Sequence, residues 1–247
     1  MKKRLDILLF EKGLTDSREK AQRLIMAGLV FVNEKKETKA GMKFDEESII
    51  TLAEASPYVG RGAEKLKGAH EAFKINFENK IITDIGSSTG GFTDYALQNG
   101  AKKVYAIDVG TGQLDWRLRN DQRVVVMEKT DFRKLDILPE KIDMFVADVS
   151  FISIRKILQN IKNIAKDYGQ KENIEIVILF KPQFEVGKEI ASKTKGVIKD
   201  GRLHQKLMDE FSLWCRENGF QIINSVISPI KGEKAGNTEF LFYLKLC

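Results

Sequence analysis

From about residue 80 the chain repeats one pattern, a short apolar run followed by a stretch with helical spacing. Ile81-Ile82-Thr83-Asp84-Ile85 is the first run, and residues 104–109, 124–127, 142–146 and 174–180 resemble it. Residues 92–98, 113–119, 153–166 and 202–218 suit the helices between or after them. Short apolar runs alternating with helices are strands buried on both faces, which predicts a doubly wound, mostly parallel α/β sheet. The end of the chain departs from the pattern. Residues 220–228 and 238–245 read as strands, and the connection Pro229 to Asn237 has no helical period. Two strands joined in that way pair antiparallel. The expectation is a seven-stranded sheet whose last strand is reversed.

Residues 1 to about 55 read as a separate α+β module. Leu5, Leu8, Leu9 and then Ala21, Leu24, Ile25 recur at helical spacing. Gly13 ends the first helix, and Thr15, Asp16 or Ser17 can cap the second. Residues 29–33 and 49–52 suit short strands. Residues 1–43 hold eleven Lys/Arg against six Asp/Glu. Arg4, Arg18, Lys20, Arg23 and the Lys35-Lys36 pair fall on or near the two helices and the turn after them. Such a face suits the phosphates of folded RNA, where binding is electrostatic and shape-driven. Charge alone accounts equally for solvated helix faces.

Here the chain resembles a known module. Arg4-Leu5-Asp6, Gly13-Leu14, Ser17-Arg18, Ala21, Ile25, Gly28, Val30, Val32-Asn33, Lys39 and Gly41 match the RNA-binding domain named after the fourth small-subunit ribosomal protein. The resemblance implies RNA docking by the two helices.

Composition narrows the partners. A net charge of +6 and a pI near 9.1 suit a polyanion. Cys215 and Cys247 cannot build a disulfide framework, and His70 and His204 are the two histidines. No metal site is therefore expected. No leader and no membrane span is visible, since the apolar Leu5–Phe10 stretch is short and interrupted by Asp6. The expected compartment is the cytoplasm.

Asp84-Ile85-Gly86-Ser87-Ser88-Thr89-Gly90-Gly91-Phe92 follows the first strand and opens a helix. Glycines let the backbone turn sharply and approach a ligand. Asp108 ends the second strand, where a carboxylate can hold a ribose diol. The same parts could serve a dinucleotide. Two details favour S-adenosylmethionine. The spacing is Gly-x-x-x-Gly-Gly rather than Gly-x-Gly-x-x-Gly, and Asp84 would oppose a pyrophosphate but suits the amino group of a methionine. Ser87, Ser88 and Thr89 could equally cap the helix. The reversed last strand then completes a Rossmann-like, S-adenosylmethionine-dependent methyltransferase sheet.

Asp148 and Lys181 sit at the carboxyl ends of their strands, which line the ligand crevice of such sheets. Lys65 enters the large domain after Gly60-Arg61-Gly62, and Glu239 starts the last strand. A lysine partly desolvated beside another cation can reach about 7–8 and act as a base. Lys65 and Lys181 are candidates for such a pair, with Asp148 and Glu239 fixing them. Ordinary ion pairs are the alternative for any one of the four.

In this order the four resemble the Lys-Asp-Lys-Glu tetrad of ribose 2′-O-methyltransferases of FtsJ-like fold. End to end the chain resembles the TlyA family, once called haemolysins, through motifs at residues 61–66, 86–94, 108–110, 148–153, 181–185 and 236–240. The resemblance implies methylation of ribosomal RNA, free or in ribosomal subunits, at a cytidine ribose. It also implies Lys65, Asp148, Lys181 and Glu239 as catalytic. Asp131 stands where asparagine is common, at a position implied to meet the adenine. Ala63 replaces a glycine, and Gln113 is cofactor-side or structural. The implied domains are 1–56 for RNA binding, 57–63 as linker and 64–247 for methyl transfer. The segment 185–200, with Lys188, Lys193, Lys195 and Lys199, is an RNA-facing lid or a solvated loop. A cytolysin, a non-catalytic RNA-binding protein with this fold and a nicotinamide enzyme are the competing readings. The missing leader, the filled tetrad and the glycine spacing oppose them in turn.

Overall fold

The computed structural model describes residues 1–53, 57–167, 169, 174–232 and 236–247. The chain divides into two compact units, Met1–Pro57 and Tyr58–Cys247. The boundary expected at residue 56 lies outside the described residues.

In the first unit, β1 (Lys2–Arg4) leads into α1 (Leu5–Glu11), and α2 (Arg18–Met26) follows. Ser17 caps α2, its hydroxyl accepting from the Lys20 N–H at 3.2 Å. Next come β2 (Val30–Val32), β3 (Lys35–Glu37), β4 (Lys43–Asp45) and β5 (Ile50–Leu52). β2 is central, antiparallel to both β3 and β5, while β1 pairs with β4. Asn33 and Glu34 join β2 to β3 with φ of 48° and 65°, the left-handed pair of a type I′ hairpin. Lys35 and Lys36 therefore lie on a strand rather than in a turn. The core is Leu5, Leu9, Ala21, Ile25, Val30 and Val32.

Asp6 is fully buried and organises the basic residues. It accepts from Arg4 at 2.9 and 3.0 Å, from Arg18 at 3.3 Å and from Gln22 at 2.8 Å. Hydrogen bonds from Arg4 hold its carboxyl well below the usual range against the cost of burial. Its stabilisation is thus present above about pH 4 and fades as the solution is acidified. Asp6→Asn is expected to cost about 2 kcal/mol, since it leaves two guanidiniums short of a counterion. Thermal unfolding at neutral pH, against a shrinking difference near pH 3, checks this.

The second unit begins with α3 (Gly62–Phe73), then β6 (Ile81–Ile85), α4 (Gly91–Gln98), β7 (Lys103–Ile107), α5 (Trp116–Arg119) and β8 (Val124–Met127). After a 3₁₀ turn at Phe132–Lys134 come β9 (Met144–Ala147), α6 (Ile154–Asp167), β10 (Glu175–Phe180), α7 (Pro182–Glu185), α8 (Lys188–Thr194), α9 (Gly201–Glu217), β11 (Phe220–Ile227) and β12 (Phe240–Leu246). The sheet order is β11-β12-β10-β9-β6-β7-β8. β10, β9, β6, β7 and β8 are parallel, and β12 runs antiparallel between β10 and β11. This is the expected seven-stranded sheet with its last strand reversed.

Two apolar layers cover it. One packs α6 and α9 through Ile157, Ile161, Ile164, Leu207 and Phe211. The other packs α3 and α4 through Ala63, Leu66, Ala69, Phe92 and Tyr95. Residues 58–63 belong to this unit. The Val59 N–H donates to Asp94 Oδ2 at 2.8 Å, and Ala63 is fully buried.

Candidate active site

The glycine-rich turn follows from its backbone. Gly86 leaves β6 at φ 80°, and its N–H and that of Ser87 donate to the Ile107 carbonyl at 2.8 and 3.1 Å. A Cβ at Gly86 would lie 2.7 Å from the Asp148 carbonyl oxygen, so this strand end and that of β9 touch through bare backbone. Gly90 caps α4 at φ 94° with no side-chain cap, so the hydroxyls of Ser87, Ser88 and Thr89 are not spent on that role. Gly91 packs against the backbone of Gly62 and Ala63, where a Cβ would meet Ala63 N at 2.8 Å.

Sheet register brings the charged residues together. β9 and β10 are parallel neighbours, so Asp148 and Lys181 emerge from adjacent carboxyl ends. β12 pairs Phe240 with Phe180, which brings Glu239 level with Lys181. Lys65 reaches in from α3. The result is an alternating row of charges. Lys65 Nζ lies 2.9 Å from Glu239 Oε2 and 2.9 Å from Asp148 Oδ2, and Lys181 Nζ lies 2.6 Å from Asp148 Oδ1. Lys181 also donates to Ser150 Oγ at 2.8 Å. Glu239 and Lys181 are buried, Asp148 and Lys65 nearly so.

The arrangement corrects one expectation. Lys65 does not have its pKa lowered by the second lysine, because Asp148 stands between the two ammoniums. Burial disfavours the Lys65 charge, but the facing Asp148 and Glu239 carboxylates outweigh it and raise the pKa. Burial likewise works against ionised Asp148, and Lys181 and Lys65 outweigh it and hold it low. Lys65 is a fixed cation here, not a poised base.

A cleft of about 860 Å³ joins this row to the glycine-rich turn. Lys65, Asp148, Lys181 and Glu239 line it, as do Asp84, Gly86, Ser87, Ser88, Thr89, Gly91 and Phe92. That volume suits a cofactor-sized ligand together with part of a substrate. Asp84 tests the fit of S-adenosylmethionine. Its Oδ2 accepts from the Thr93 N–H at 3.0 Å and hydroxyl at 2.7 Å, while its buried Oδ1 has no partner. Burial pushes its carboxyl up to about 7. A carboxylate left short of donors beside a cleft fits an amino group and repels a pyrophosphate.

Not every expected residue lines this cleft. Gly90 packs against Leu114 and Leu118, where a Cβ would lie 2.8 and 2.3 Å from their methyl carbons. Asp108 accepts from the N–H groups of Ser88 at 2.9 Å and Gly110 at 2.7 Å and so braces the turn. Asp131 caps the 3₁₀ turn and pairs with Arg133 at 2.6 Å. Its negative charge is spent on that guanidinium, which draws its pKa down. Gln113 does line the cleft.

Comparison with known proteins agrees with this geometry. The FtsJ-like methyltransferase family description matches residues 58–246, and that of the S4 domain matches residues 3–50. The chain belongs to the FtsJ-like methyltransferase family. It is similar to Hemolysin A of Brachyspira hyodysenteriae, with 46% identity over 244 residues, 96% of this chain and 98% of that one. It is also similar to the 16S/23S rRNA (cytidine-2′-O)-methyltransferase TlyA of Mycobacterium tuberculosis, with 38% identity over 246 residues, 98% of this chain and 89% of that one. These matches place it with the TlyA-type members, as the motifs implied. A solved structure from Streptococcus thermophilus, described as a candidate hemolysin, is 40% identical with a TM-score of 0.74, covering 99% of this chain and 88% of that one.

This FtsJ-like site holds residues that motif reading left without a role. Phe151 is 83% exposed at φ 64° and lines the cleft, its ring 5.2 Å from that of Phe184. Ser150 holds Lys181. Glu185 accepts from Ser153 Oγ and the Ile154 N–H, both at 2.7 Å, tying the segment after β9 to α7. Their motifs were visible, but the pairing of one loop with the other depends on two strands lying side by side. Among the described residues no helix is long and apolar enough to cross a membrane, and no group of three metal-ligating side chains occurs.

Proposed function

We propose that this FtsJ-like chain acts in the cytoplasm as an S-adenosylmethionine-dependent methyltransferase for the ribose 2′-hydroxyl of a cytidine in ribosomal RNA. The observation that carries this reading is the alternating Glu239, Lys65, Asp148, Lys181 row opening onto the same cleft as the glycine-rich turn. The name of the mycobacterial relative supports the substrate class, and the S4 match supports docking on RNA by the first unit. There Arg4, Arg18, Lys20, Arg23, Lys35 and Lys36 are the proposed phosphate contacts.

When bound, S-adenosylmethionine supplies a methyl group made electrophilic by its sulfonium. Asp84, Gly86, Ser87, Ser88, Thr89, Gly90, Gly91 and Phe92 would hold the cofactor directly or shape its turn, with Asp108 bracing that turn and Asp131 at its margin. The remaining task falls to the tetrad. A ribose hydroxyl is a weak nucleophile, so its placement matters most. Lys181, oriented by Asp148 and Ser150, meets the 2′-oxygen, takes its proton when in the neutral form, and steadies the charge that develops there. Lys65 keeps its proton between two carboxylates and fixes Asp148 in turn. Phe151 offers an exposed ring face to a base lifted out of its stack.

Two experiments test the reading. Methyl-labelled S-adenosylmethionine is incubated with unmodified small subunits, large subunits and naked ribosomal RNA. Label at one nucleotide, resistant to alkaline cleavage, is expected, and none in any of the three would overturn it. Phe151→Ala is expected to raise KM for RNA roughly tenfold, the scale of one base–aromatic stack, with cofactor affinity unchanged. Steady-state kinetics and cofactor calorimetry separate the two.

A further inference from the structure

Asn237 lies two residues before Glu239, and its side-chain amide bonds to the backbone of Gly196 and Ile198 rather than to the tetrad. It is buried at 5% exposure, and both ends of its amide are used. Nδ2 donates to the Gly196 carbonyl at 2.9 Å, and Oδ1 accepts from the Ile198 N–H at 3.0 Å. Its own carbonyl accepts from the Gly232 N–H at 3.0 Å. The loop entering β12 is thus clamped on two sides just before it delivers Glu239.

The neighbours show why the clamp matters. Gly232 packs so closely on Glu239 that a Cβ there would lie 2.9 Å from Oε1. The Glu239 carbonyl accepts from the Ser228 N–H at 2.9 Å. The segment Asn237 grips is itself anchored, since Ile198 is in the core beneath the sheet. The residues flanking its two partners are Lys195 and Lys199, both exposed. Gly196, Gly232 and Asn237 all line the cleft.

We propose that Asn237 is a positioning residue. It sets the Glu239 carboxylate against Lys65 by tying the loop before β12 to the segment 195–199. Asn237 acts through Glu239 and does not touch substrate. This rests on the methyltransferase reading above for its kinetic consequence, but its structural consequence does not.

The test is therefore double. In single-turnover methyl transfer, Asn237→Ala is expected to lower the rate at saturating RNA and cofactor by roughly tenfold to a hundredfold, the usual effect of a small displacement in a reacting site. Cofactor affinity should stay near wild type, while the melting temperature falls by a few degrees, because the backbone groups of Gly196 and Ile198 lose their partners. In a Glu239→Gln background the same substitution should cost nothing further, because the group it positions has lost its charge. Additive losses would overturn the proposal.

Reductive methylation of the folded protein, read residue by residue in a mass spectrometer, needs no activity. Lys65 should label several-fold faster in Asn237→Ala, approaching its rate in Glu239→Gln, while Lys80, paired with Glu175 away from the cleft, stays unchanged. Unchanged Lys65 labelling overturns the proposal even if no substrate is found. Faster labelling with an inactive wild type would leave the positioning intact and sink the methyltransferase reading instead.

Discussion

Lys181→Ala should abolish methyl transfer, by a factor of a thousand or more, with RNA affinity within about twofold of wild type. Three features of the site lead to this expectation. Lys181 ends β10, the strand that places it beside Asp148, and it is buried, so no other cation can take its place from the surface. Its contacts are Asp148 at 2.6 Å and Ser150 at 2.8 Å, both aimed from the adjoining strand end and its loop. Lys65, the nearest alternative, is already held between Asp148 and Glu239. A group that orients the 2′-hydroxyl and meets its developing charge contributes chiefly to the transition state, so the loss belongs in kcat. RNA affinity comes largely from phosphate contacts elsewhere. Single-turnover kinetics with filter binding measures both. Wild-type turnover in the variant would remove Lys181 from the mechanism, and a parallel collapse of RNA affinity would make it a binding residue. Lys181→Arg should recover little, because a guanidinium stays charged and cannot accept a proton.

Much of this was legible in the chain. Strands β6 and β10 were readable because parallel strands buried on both faces are continuous apolar runs, and the edge strand β8 was readable from its unbroken Val-Val-Val-Met run. The reversed β12 was readable from a connection with no helical period. Helix α3 was harder to see. Gly60, Gly62 and Gly68 lower helix propensity there and suggest a linker, whereas Gly68 is small because Pro229 packs against it, where a Cβ would lie 2.8 Å away. Ala63, Leu66 and Ala69 at steps of three were the signal. Helix α5 is shorter than residues 113–119, since Asp115 caps it at Trp116. The strand expected at 142–146 begins instead at Met144, with Ile142 packed into the core ahead of it. The hairpin β2–β3 was missed because Lys35-Lys36-Glu37 is polar, and its turn depends on two left-handed residues, one of them a glutamate.

The candidate site divides along the same line. Its members could be named from motifs, because strand ends and glycine turns are local features. Their electrostatics could not. Whether two lysines repel each other or share a carboxylate depends on Asp148 standing between them, which is set by the register of β9 against β10. Asp131 shows the same limit, since its bond to Arg133 is a local choice that a motif alignment does not reveal.

Asp84 sets the second large effect. With its carboxyl pushed up to about 7 by burial, the free protein holds it protonated in acid. An amino group entering the cleft needs the carboxylate. Apparent cofactor affinity should therefore rise about tenfold per pH unit from pH 5 to near 7, then level. Above roughly pH 8 an α-amino group loses its own proton, so affinity falls again and peaks between the two. The fold responds with the opposite sign. Between about pH 4 and 7 the folded protein binds the Asp84 proton and the unfolded chain does not, so the stability of the unliganded protein declines across that window and is flat beyond it. Asp84→Asn should remove the acid limb of binding and flatten this decline, while weakening affinity at pH 7.5 by about tenfold. Calorimetric titration from pH 5 to 9, paired with melting curves of the free protein, measures both. If the melting curves flatten in the variant but the binding profile keeps its acid limb, Asp84 is a buried acid whose proton the cofactor does not feel, and the amino group must be held from elsewhere in the cleft.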